Sequence, residues 1–319
     1  MWYPPFRSTE RATLKLAAWR VALVLLLLPR QGHAQACCAG SGVVTPGRLA
    51  LHETALVGVQ LKAGLVTGSF DDRGNAARLS HGASELDLEQ DLFGAVRLGE
   101  HAQFALLVPL LETRRESGSL SEFGGGLGDV NLNVRYDFTF AGASPVMPGL
   151  GVLAGVTVPS GTPADSSRIR PLATDATGIG AYQASLGLSV EQAFGPWLAN
   201  LTGVVAQRTA RTVTHGNVRI HERLAAQWSL LAALGYVFTN ESALALSAAY
   251  TSEGDATING TEAAGSKHRT TTLTLAGLQP LSDSWRIQAA IFDNPSLSGS
   301  SVNQPAIFGG SATVIHAWL

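Results

Sequence analysis

Charge is scarce in this chain. Asp, Glu, Lys and Arg together make up 14% of 319 residues, against about 25% in an average soluble domain. Only three lysines occur: Lys15, Lys62 and Lys267. The formal net charge is −2, and so weak a balance does not suit a nucleic-acid binder. The mean hydropathy is slightly positive, which excludes a disordered polyelectrolyte. Two cysteines, Cys37 and Cys38, cannot build a disulfide scaffold. No G-x-S-x-G or H-E-x-x-H occurs; His221-Glu222 is followed by Arg223-Leu224. Gly124–Gly128 is glycine-rich but opens a strand pattern, so it does not read as a phosphate cradle. The sequence calls for no cofactor, no metal and no nucleic acid.

Residues 1–36 have the layout of an export signal. Arg7, Arg11, Lys15 and Arg20 precede the apolar run Val21–Leu28, Pro29 breaks it, and Ala34-Gln35-Ala36 fits a cleavage site. The apolar run is too short to cross about 30 Å of hydrocarbon. Removing 1–36 leaves 17 basic and 23 acidic residues. Three readings apply to the Cys37-Cys38 start: lipidation of Cys37, a metal site with His52 as the nearest further ligand, or a plain tail. The plain tail is favoured, because Ala34 and Gln35 fit a lipoprotein signal poorly and a metal needs more ligands. The expected organisation is therefore a signal peptide over 1–36, an N-terminal periplasmic segment over 37–52 and one domain over 53–319.

No later stretch offers the 18 or so apolar residues of a membrane helix. The pattern has period two instead. Over Asp129–Phe140, Val130, Leu132, Val134, Tyr136, Phe138 and Phe140 share one face. Asp129, Asn131, Asn133, Arg135, Asp137 and Thr139 share the other. Alternation recurs over 149–158, 182–194, 224–238 and 285–291. Leu150, Val152, Leu186, Leu188, Leu230 and Leu234 take the apolar side. Such runs exceed the usual 5–6 residues of a soluble strand and suit a tilted membrane strand of about 9–11. Connections alternate in length. Short ones fall at 99–101, 142–147, 195–196, 240–241 and 282–284; long polar ones fall near 71–82, 115–124, 160–179, 213–220, 253–268 and 294–305. Five short turns and six long loops predict twelve strands: an all-β, transmembrane, antiparallel up-and-down β-barrel, its apolar face on outer-membrane lipid. A secreted sandwich is the bland alternative, but its strands are shorter.

In such a barrel the polar parity lines the lumen. Glu85, Asp87, Glu89 and Asp91 form an acidic ladder along one strand, and four carboxylates there cannot face lipid. Lys62 is the expected counter-charge, with Arg135 also among the nearest positive groups. By the same parity Arg97, Asp129, Asn131, Asn133, Arg135, Asp137 and Arg286 are expected to line the pore. Two readings of these charges stay open: a salt-bridge network bracing the wall, or a constriction that selects solutes. Twelve strands lie between eight, whose interior side chains fill, and sixteen, which leave a channel.

Three stretches carry a family resemblance: Gly126-Leu127-Gly128-Asp129 leading into Val130–Tyr136; Pro148–Gly161 closing in Val158-Pro159-Ser160-Gly161; and Thr177-Gly178-Ile179-Gly180 before a strand that turns at Phe194-Gly195-Pro196-Trp197. In this order they resemble the outer-membrane proteins grouped with the meta-pathway of phenol degradation, a transporter family. The resemblance covers roughly 50–319, and departs from the family at Ser160, where an acidic turn residue is expected. It implies an outer-membrane barrel passing small hydrophobic or aromatic solutes, assembled by the barrel assembly machinery, with no catalytic residues to carry over. The rival readings are a plugged structural barrel and a barrel-embedded lipid-modifying enzyme.

Overall fold

The computed structural model describes residues 48–319 except 145, 165–169, 216–217, 296 and 298. The expected export signal and Cys37-Cys38 lie outside the described residues. Twelve long strands make the wall: β1 (Ala55–Phe70), β2 (Ala83–Arg97), β3 (Ala102–Ser117), β4 (Val130–Thr139), β5 (Gly149–Val158), β6 (Gln183–Phe194), β7 (Trp197–Arg208), β8 (Gln227–Val237), β9 (Ala243–Glu253), β10 (His268–Pro280), β11 (Trp285–Asp293) and β12 (Pro305–Trp318). Each pairs antiparallel with its neighbours in the chain, and β12 returns to β1. Ala55 lies opposite Trp318 and Lys62 opposite Ser311. The twelve-strand wall closes on itself, which removes its free edges.

The short connections and both ends of the barrel sequence lie at one mouth, called inner here; the six long loops lie at the outer mouth. The expected 115–124 loop is instead largely strand. β3 runs to Ser117 and the chain returns at once as Leu120–Leu127, paired to β3 from Leu110 to Ser117. The expected 213–220 loop is likewise a hairpin, Arg211–His215 against Val218–Arg223. Short strands Thr257–Ile258 and Thr261–Glu262 extend it into a small sheet. Both stretches are polar, which reads as loop, but ladder hydrogen bonds need no apolar face once the strand has left the membrane.

Parity divides the wall sharply. Leu186 and Leu188 are 63% and 66% exposed, whereas Ser189, one residue on, is 1% exposed. Val57, Val59, Leu61 and Leu65 on β1 and Leu244 and Leu246 on β9 are also exposed. A belt of this extent is far larger than a soluble monomer leaves in water, and lipid is the solvent that suits it. Aromatic pairs ring the inner end: Tyr136 on Phe138, Trp197 on Tyr236, and His316 against Trp285 and Trp318. Trp228 and Tyr250 pair near the outer end. Such girdles mark the two membrane–water interfaces.

Leu188→Arg places a cation in the apolar belt and should cost about 2–4 kcal/mol in urea unfolding from lipid vesicles. Thr270→Arg, on the lumen face, should cost under about 1 kcal/mol. Equal losses would mean that the parity is wrong.

Candidate functional site: a charged lumen

The lumen has three levels, and each is built from inward-facing residues. At the inner mouth the chain preceding β1 turns into the barrel. Leu49 packs with Leu56, Phe93, Ala95, Ala105, Ile315 and Ala317, all buried. The segment is tied down by charge. Arg48 pairs with Glu191, and Glu53 pairs with Arg286. Arg97 donates to the carbonyls of Ala50 and Glu53, and the Leu49 N–H donates to Gln103 Oε1 at 3.1 Å. Of the expected 37–52 segment the described residues 48–52 lie in the mouth, and 48–53 are called the plug here: Leu49 gains a core, and Arg48 and Glu53 gain partners, inside the barrel.

Beside the plug lies the most buried ionic cluster. Glu191 is 2% exposed and also receives Arg135 at 3.2 Å and the Asn200 amide at 2.9 Å. Arg135 bonds Asp137 at 2.7 Å. Both lie over Gly151, where an added Cβ would sit 2.8 Å from Asp137 Oδ1 and 3.0 Å from Arg135 Nη2. The glycine parity of β5 is thus the floor on which these long side chains rest.

The middle level is a cavity of about 540 Å³. Gln60, Lys62, Asp87, Glu89, Thr113 and Arg115 form one wall. Ser247, Thr270, Thr272 and Thr274 form another, with Phe292, Ile307, Leu111 and Leu231 between. All four ladder carboxylates take the inward parity of β2. Glu85 bonds Arg115 at 2.6 Å. Asp87 accepts from Thr113 at 2.9 Å. Glu89 bonds Lys62 at 2.9 Å, and Lys62 also lies over the Phe292 ring. Asp91 is buried, and its Oδ1 has no hydrogen-bond partner among the described residues. Arg135 is not a ladder partner: it is spent on Asp137 and Glu191. Arg115, directly opposite Glu85 in the register, takes that place.

At the outer level the three glycine-bearing stretches of the sequence meet. Asp129 is expected to line the pore; here it is buried and clasps the loop between β5 and β6. Its Oδ1 accepts from the Gly161 N–H at 3.0 Å and its Oδ2 from the Ile179 N–H at 2.8 Å. Ser160 Oγ donates to the Gly128 carbonyl at 2.7 Å. Thr177 Oγ1 donates to the Leu127 carbonyl at 2.7 Å. A Cβ on Gly161 would stand 2.7 Å from Gly178 Cα, so the two backbones cross only as glycines. Arg115 donates to the Leu172 carbonyl at 2.8 Å, and Ala176 reaches the central cavity. Asn131 and Asn133 stay on the wall: Asn131 accepts from Thr157 at 2.7 Å, and Asn133 lies against Gly155.

Three contributors escape the sequence reading. Glu53 and Arg48 precede the alternating region, and their partners are 233 and 143 residues away. Arg115 lies in a stretch that reads as loop. The inward parity of Glu191 is visible in the sequence, but nothing local marks it as the hub of a cluster.

Glu191→Ala should destabilise the barrel by about 3–5 kcal/mol, because it removes the buried carboxylate that Arg48 and Arg135 share and leaves Asp137 alone against Arg135. Glu116→Ala removes the exposed pair with Arg114 and hydrogen bonds from the Ser84 and Ser121 hydroxyls, all in solvent, and should cost under about 1 kcal/mol. Urea unfolding of both variants checks the contrast.

Neither a protein-family model nor a curated sequence matches the chain. Among solved structures it is similar to an outer-membrane channel from Pseudomonas putida F1, with a TM-score of 0.68 at 16% identity over 84% of this chain and 97% of that one. Slighter likenesses, on which no argument rests, are to the translocator domain of the autotransporter NalP from Neisseria meningitidis (TM-score 0.44, 11% identity, 97% and 98% covered) and to the KdgM porin (0.44, 8%, 82% and 99%). The fold is that of an outer-membrane β-barrel.

Proposed function

We propose that this protein is an outer-membrane channel for the uptake of small molecules with an apolar or aromatic body. The observation that carries the reading is the central cavity. Its 540 Å³ fall within the 300–1,000 Å³ or so of ordinary ligand sites. Phe292, Ile307, Leu111 and Leu231 offer apolar contact, and Thr270, Thr272 and Thr274 offer hydroxyls. A ring carrying a polar substituent satisfies both. The shared fold with the Pseudomonas putida channel and the sequence resemblance to the phenol meta-pathway proteins support the same reading.

The wall is fixed by continuous ladders, so a path through the inner mouth requires the 48–53 segment to move. That segment is held by ion pairs and by one apolar anchor, Leu49. These contacts can exchange for water without breaking a strand. The pore-lining role of Lys62, Glu85, Asp87, Glu89 and Asp91 follows from the same proposal. Four carboxylates there meet two paired cations, Lys62 and Arg115, so the level carries net negative charge and disfavours anions in a poorly screened lumen. One observation favours the rival structural reading: buried apolar clusters pack around Leu49 and around Ala243 at the inner mouth.

Reconstitution in liposomes decides between them. Uptake of neutral aromatic solutes should be measurable and should rise several-fold in a Leu49→Ser/Glu53→Gln variant. A Glu89→Gln/Asp91→Asn variant should lose cation preference in single-channel recordings. No flux in any of the three, with the barrel folded, would establish the structural reading.

A further inference from the structure

A second cavity lies at the inner mouth, separate from the central one. It measures about 240 Å³ and is lined by Leu49 and Leu51 of the plug and by Phe140, Trp197, Leu198 and Val237 of the barrel. Every charged group on it is already engaged. Arg48 is paired with Glu191, Asp137 with Arg135, and Arg97 with backbone carbonyls. A charged ligand would enter without a counter-ion and lose its hydration. A neutral ligand meets mostly carbon. A cavity of about 150 Å³ already takes benzene, so the space suits one substituted ring.

We infer that this cavity is a binding site for a neutral, single-ring apolar molecule, and that its occupant holds the plug in place. The second half follows from the lining. One side of the cavity belongs to the plug and the other to the barrel wall, so the site exists only while the plug is seated. A ligand that binds the seated state alone stabilises it by mass action. At ten times its Kd it should lower the unseated population about elevenfold. A neutral aromatic accumulating at the inner side would thereby close the mouth. This inference goes beyond the transport reading, since binding and plug retention need no flux.

The test uses the full chain in liposomes, with Cys37 and Cys38 changed to serine and Ala105→Cys as reporter. Ala105 is buried in the cluster around Leu49 and is not part of the cavity lining, so a water-soluble maleimide reaches it when the plug leaves and a bound ligand does not shield it directly. Phenol, neutral at pH 7, should slow labelling about elevenfold at ten times its Kd, while benzoate should have no effect. Ser282→Cys, on an exposed turn, should label at one rate throughout. Val237→Trp fills the cavity and should abolish the phenol effect. If that variant fails to fold, Val237→Ala should extend the response to bulkier p-substituted phenols. An unchanged rate with phenol, equal slowing by benzoate, or equal slowing in Val237→Trp would overturn the site. Loss of flux in the transport assay leaves this result standing, and a flat labelling rate leaves the transport reading standing.

Discussion

Everything in this molecule depends on the pairing of β12 with β1. Once Trp318 lies opposite Ala55 and the ladder closes, the main-chain groups of the wall are satisfied within it, the condition for crossing a bilayer. Closure also removes any choice from the side chains. A residue in a strand faces lipid or lumen, and a one-residue slip would exchange the two sets throughout. The exposed leucines of β6 and the buried Ser189 and Glu191 that follow them are two consequences of that single register.

The inward set then has to be satisfied in a confined space. The solution differs with height. At the inner mouth the charges converge on Glu191 and Glu53 and bind a segment that is not part of the wall. In the middle they pair between adjacent strands along one wall of the cavity. At the outer level charge is spent on backbone: Asp129 holds two N–H groups of one loop, and Arg115 holds two carbonyls of the same loop. Arg115 also bonds Glu85, so the acidic ladder and the loop over the outer mouth share one side chain. Charged groups thus do two jobs here, lining the lumen and fastening the elements that close it at either end.

Much of this was legible beforehand. The strand count, the side of the barrel that each residue takes, the inner position of the short turns and the pairing of Lys62 with the ladder all follow from alternation and loop length. The three glycine-bearing stretches carry the family resemblance in the sequence, and the crossing of Gly161 and Gly178 beside Asp129 is where they meet in the fold. The strand Leu120–Leu127 was hidden by its polar composition. Parity alone sets Arg135 beside the acidic ladder, and parity does not say which inward neighbours lie at the same height.

That last distinction separates what the sequence by itself determined from what the tertiary structure decided. Inward or outward orientation is a local property: it repeats every second residue along one strand and needs no knowledge of the others. Height within the lumen is set by the stagger of each strand against the next, accumulated around the closed barrel. The joining of Glu191 to Arg48 and Arg135, of Glu53 to Arg286, and of Leu49 to β1, β2, β3 and β12 rests on that accumulated stagger. No single strand encodes it. The plug, the two cavities and the sharing of Arg115 therefore exist only in the closed fold, whereas the membrane-facing belt is written in the chain.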